Sequence, residues 1–133
     1  MRQKPCLTTS DIRAMVAAAQ AEAQRNGWRV TIAIVDDGVH LLFLERDGAK
    51  VITADVATRK ARTAALTHNP SGSLQDRIRD NPHLLALDAL PLQGGLPIAH
   101  GGECIGGIGV SGVLAEQDEQ VCRAALDVLA KLS

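Results

Sequence analysis

The chain has 133 residues, enough for one domain with a real core and too few for two. Its formal net charge of −1 offers no basic field to a polyanion, and Trp28 and Phe43 are its only aromatic residues. Bases would find no aromatic platform to stack on, so nucleic acid is not an expected partner. Cys6, Cys104 and Cys122 are far apart and show no Cys-x-x-Cys spacing, which reads as structural thiols in a reducing compartment. No apolar run is long enough for a membrane span or a secretory signal, so a cytoplasmic location is expected.

Leu7-Thr8-Thr9-Ser10-Asp11 is a helix start, with a hydroxyl cap and an acid in the first turn. Ile12, Met15, Val16, Ala19 and Ala23 recur at helical spacing, and Asn26-Gly27 ends the element, predicting a helix over Ser10–Arg25. Val30–Val35 and His40–Glu45 are strand-like runs across an Asp36-Asp37-Gly38 turn, which is a hairpin signal. Leu41 to Leu44 are apolar on both faces. That implies a central place in a sheet, or a second face buried against another subunit. Ile52–Leu66 reads as a helix with Ala54, Ala57, Ala61 and Ala65 on a small-residue stripe that allows close backbone approach. Asn69-Pro70-Ser71-Gly72 breaks it, Ser73 caps a polar helical turn through Arg79, and Asn81-Pro82 starts another through Leu87.

Eight of the twelve glycines lie between Pro91 and Gly112. Leu96–His100 and Glu103–Val110 flank Gly101-Gly102, again a hairpin signal. Gly106, Gly107 and Gly109 leave the second strand without bulk, which marks a surface approached closely by a helix, a second subunit or a ligand. A phosphate loop is excluded, because no Gly-Lys-Ser/Thr follows and no strand–loop–helix frame surrounds the glycines. Glu116, Asp118 and Glu119 open a last helix whose buried face is Val121, Ala125, Val128 and Leu132. Local hairpins between flanking helices predict an α+β, helix–sheet–helix sandwich in one domain over 1–133, with a mostly antiparallel sheet.

No histidine or cysteine grouping has metal spacing, and no nucleophile–base pair is readable, so no metal site and no hydrolase are expected. Of the four histidines, His40 opens a strand after a turn and serves either the turn or a site; His100 sits at a hairpin tip and reads as solvent-exposed. Arg59, Lys60 and Arg62 spread around one helix and by themselves describe a solvated face. Glu116 and Asp118 read first as helix-start acids and second as catalytic acids.

Several segments together resemble one family: Ile34-Val35-Asp36-Asp37-Gly38-Val39-His40-Leu41-Leu42, Lys60-Ala61-Arg62-Thr63-Ala64, Gly94-Gly95-Leu96-Pro97-Ile98, Gly106-Gly107-Ile108-Gly109-Val110-Ser111-Gly112 and Glu116-Gln117-Asp118-Glu119. The chain is similar to the GlcG/HbpS-like, or haem-degrading domain, family, whose relatives include the C-terminal domain of PduO-type proteins. The resemblance spans Leu7 to Leu129. It implies a profilin-like sandwich with a five-stranded antiparallel sheet, assembly into homo-oligomers, and binding of haem or a related tetrapyrrole in some members. Residues 37–39 read Asp-Gly-Val where the family often has Ala-Gly-Gly. On this resemblance His40, Lys60, Arg62, Gly95 and Pro97 are the candidate ligand-binding residues, with Lys60 and Arg62 meeting a propionate or another carboxylate. The alternative is a cofactor-independent lyase or isomerase acting on a small carboxylated catabolic substrate, with His40, Lys60, Arg62 and Glu116 as its catalytic groups.

Overall fold

The computed structural model describes residues 1–132. Helix α1 (Thr9–Arg25) leads into the hairpin β1 (Thr31–Asp36) and β2 (Leu41–Arg46), followed by α2 (Ile52–Thr67) and α3 (Ser73–Asp80). A 3₁₀ turn over Pro82–Ala86 precedes the second hairpin, β3 (Gly95–His100) and β4 (Glu103–Ser111), and α4 (Ala115–Leu132) closes the described chain. The α+β class and the antiparallel sheet agree with the sequence, but the sheet has four strands, in the order β2-β1-β4-β3, rather than five. The stretch between α2 and β3 forms α3 and the 3₁₀ turn. Its Pro, Asn and charged residues do not alternate as a strand requires.

Helix α1 starts one residue before the expected Ser10 because Thr8 is the cap: its hydroxyl accepts from Asp11 N, and the Asp11 carboxylate accepts from Thr8 N at 2.9 Å. The Thr8 backbone N–H, then its hydroxyl, hold the Asp11 carboxyl below its usual range. A lowered carboxyl pKa supplies stability that is present above the ordinary value of 3.8 and lost as pH falls through the folded value. Asp11→Ala removes the acid and the return bond of this first turn and should cost about 0.3–1 kcal/mol near neutrality in urea unfolding. The gap to the parent should narrow on acidification. Ser73 does not cap α3; Gly72 occupies that position and α3 has no side-chain cap.

The two faces of the sheet are covered differently. On one, Ile32, Ile34, Leu96, Ile98, Ile108 and Val110 pack with the apolar stripes of α1 and α4. On the other, Ala33 and Val35 meet Ala57, Ala61 and Ala65 of α2. Here the strand glycines find their partner. A Cβ on Gly107 would collide with the Ala61 carbonyl oxygen, and one on Gly109 with that of Ala57. The close neighbour is helix α2 of the same chain, so this backbone is not a bare surface for a second subunit.

Strand β2 is an edge strand, not a central one. Leu41 and Leu44 pair with Val35 and Ala33 and so share the α2 side, yet they remain 50% and 42% exposed. Phe43 lies opposite Ile34 and packs on the other core. Among the described residues no helix is long and apolar enough to cross a membrane.

Candidate functional site

The turn between β1 and β2 is built by one carboxylate. Asp36 Oδ1 accepts from Gly38 N and from His40 N, each at 2.9 Å, an arrangement that Asp favours in tight turns. The same carboxylate lies 3.2 and 3.3 Å from His40 Nδ1. With Nδ1 donating to Asp36, the lone pair sits on Nε2, which has no partner among the described residues on a side chain 80% exposed. This carboxylate–imidazole pairing is the one that orients metal-ligating histidines. Between them Val39 is held at φ 61°, a left-handed conformation that a β-branched residue adopts only when its surroundings enforce it. It is partly buried against Ala33, Val35 and α2. Strain at this position coincides with the departure from glycine noted in the sequence.

Lys60 lies elsewhere and is not open to a ligand. It is 4% exposed, and its Nζ donates to Asp118 Oδ2 and to the Val110 carbonyl, both at 3.0 Å. Asp118, 2% exposed, also accepts from Val113 N at 3.2 Å. Burial pushes the Asp118 carboxyl above its usual range, against the opposing pull of Lys60 and the Val113 N–H. The ammonium therefore joins α2, β4 and α4 instead of facing solvent. Gly94 belongs to the same cluster: a Cβ there would run into the Lys60 ammonium, and the Cys122 thiol donates to its carbonyl at 3.2 Å. Burial raises the Cys122 thiol far above its usual range, so it is an inert core residue.

The remaining candidates are dispersed. Arg62 bonds to Asp88 at 3.3 Å through Nη2, while its Nε is buried with no hydrogen-bond partner among the described residues. Glu116 is exposed in the first turn of α4. Gly95 is buried, its N–H donating to Ser71 Oγ at 2.9 Å and its carbonyl accepting from Ser71 N at the same distance. Pro97 lines a cavity of about 190 Å³ with His100, Leu126 and Leu129, and His100 and Leu129 also border a second of about 150 Å³ beside Cys6. His40 lies on an exposed turn and Lys60 in the core, so the structure does not bring the two to one open surface. Sequence reasoning missed Asp36 as the partner of His40 and Asp118 as the partner of Lys60. The first was legible as an Asp-x-Gly-x-His turn; the second joins residues 58 apart and had no local signal.

A family model described as "Haem degrading protein HbpS-like" matches residues 7–127. The chain belongs to the HbpS-like family. Protein GlcG of Escherichia coli K12 is 41% identical over 134 residues, covering 98% of this chain and 100% of GlcG. Among solved structures, a double mutant of Streptomyces reticuli HbpS superposes with a TM-score of 0.91 at 35% identity, covering 97% of this chain and 90% of that one. A complex of PduOC with haem has a TM-score of 0.86 at 24% identity, covering 93% and 95%, which speaks for a shared fold. The HbpS-like fold thus extends over essentially the whole chain.

Proposed function

We propose that this protein binds a haem-type tetrapyrrole, which His40 would hold through Nε2, and does so as a homo-oligomer. The observation that carries the reading is the Asp36–His40 pair: a carboxylate 3.2 Å from Nδ1, with Nε2 left without a partner among the described residues. The next residues along β2 are Leu41, Leu42 and Leu44, 40 to 50% exposed, which supply apolar surface for a macrocycle and for a second copy of the chain. Membership of a family described by haem degradation supports the same ligand. A bound haem would supply an iron with one position filled by the protein. Asp36 would hold the ring orientation.

Titrating hemin into the purified protein should produce a saturable Soret shift. His40→Ala should abolish it, and Asp36→Asn should weaken binding by about 10–100-fold through loss of ring orientation. A protein with no saturable shift would refute tetrapyrrole binding; an unaltered shift in His40→Ala would refute this ligand alone. Light scattering should return a mass above the 14.0 kDa of one chain.

A further inference from the structure

A polar cleft of about 400 Å³ lies where the turn between α2 and α3 faces α4, away from the Asp36–His40 turn in the chain. Its walls carry Ser73, Gln75 and Asp76 of α3, Gln93 from the loop before β3, and Glu119 and Arg123 of α4. Glu119 and Arg123 are four residues apart on one helix, the spacing at which such groups ordinarily pair. They do not pair here. Gln93 Nε2 donates instead to Glu119 Oε2 at 3.1 Å. Asp76 is engaged separately, by Arg79 at 3.3 Å. Both acids of the cleft have partners, while the Arg123 guanidinium has no ion pair or hydrogen bond among the described residues.

The placement of Gln93 is built into the backbone. A Cβ on residue 72 would press on the Gln93 Cβ at 3.0 Å, so Gly72 lets the loop seat Gln93 against the start of α3. The result is one uncommitted planar cation beside a hydroxyl and a primary amide, in a cleft within the size range of small-molecule sites.

We propose that this cleft binds a small monocarboxylate. Arg123 holds the carboxylate as a two-point fork, Ser73 and Gln75 supply further donors, and Gln93 is a positioning residue that keeps Glu119 off Arg123. A carboxylate fits better than a phosphate. A single guanidinium balances one negative charge, whereas a doubly charged group would sit uncompensated beside Glu119 and Asp76. The proposal goes beyond tetrapyrrole binding and does not depend on it.

The test is a titration of the ¹⁵N-labelled full chain with propionate, its neutral match propionamide, and inorganic phosphate, followed at the Arg123 Nε–H and Gln93 side-chain resonances. Propionate should give saturable shifts with a dissociation constant on the order of millimolar, as one charged fork allows. Propionamide should give none, and phosphate should bind more weakly. Arg123→Gln, an exposed position, should weaken propionate by about tenfold or more. Gln93→Ala, which frees Glu119 to pair with Arg123, should weaken it as well. The hemin response of both variants should match the parent. No saturable shift with propionate, an equal response to propionamide, tighter binding of phosphate, or undiminished binding in Arg123→Gln would each overturn the carboxylate site. Undiminished binding in Gln93→Ala would overturn the positioning role.

Discussion

Asp118→Ala should lose about 3–5 kcal/mol of unfolding free energy, because removing one partner of a buried pair strands the other charge. The side chains of Lys60 and Asp118 are only 4% and 3% exposed, and each has further polar partners in the core. With Asp118 gone, the Lys60 ammonium keeps a single carbonyl neighbour, and Val113 N loses its acceptor. Helix α4 also loses its tie to α2. Native domains have about 5–15 kcal/mol in total, so the variant should sit near the edge of folding at room temperature. Lys60→Met alone should be destabilised for the mirror-image reason. The double variant Lys60→Met/Asp118→Leu should recover most of the loss, since apolar replacement of a whole buried pair is often close to neutral. Denaturant titration of the three variants decides the matter. A cost below about 1 kcal/mol for Asp118→Ala would mean the pair behaves as a solvated surface bridge.

Gly109→Val should lower the melting temperature by roughly 10 °C, corresponding to about 3 kcal/mol of overpacking. The obstruction is the carbonyl of Ala57 in the backbone of α2, not the movable end of a side chain. The helix must therefore lift from the sheet, and its contacts with Ala33 and Val35 go with it. Gly107→Val should behave alike through the Ala61 carbonyl. If these were merely loose strand positions, valine's β-propensity would instead stabilise the protein by up to about 1 kcal/mol. The two accounts differ in sign, and a rise in melting temperature would sink the close-packing account. Helix α2 is long and its stripe of alanines is regular, so partial relaxation is expected to be small.

Much of this architecture was legible in the residues themselves. Turn and cap chemistry act over three or four positions, so both hairpins and helices α1, α2 and α4 could be read from spacing, with ends shifted by a residue or so. The glycines of β4 and the alanines of α2 were each readable as surfaces awaiting close contact, because missing side chains are a property of the sequence. That the two surfaces meet each other was not readable. Their contact joins elements about 50 residues apart and competes on equal terms with a ligand or a second subunit.

The candidate site divides in the same way. His40 and its turn follow from local spacing, since Asp36 reaches the imidazole within five residues. The basic segment around Lys60 carried no information about which way each cation points. Helix α2 buries the face that holds Ala57 and Ala61, and this rotation turns Lys60 toward Asp118 while leaving Arg62 near the surface. Strand β2 shows the limit most clearly. Four consecutive apolar residues look alike in a central strand and at an edge, because local sequence does not record how many neighbours a strand has. Only the pairing of β1 with both β2 and β4 makes β2 an edge strand and leaves its leucines exposed.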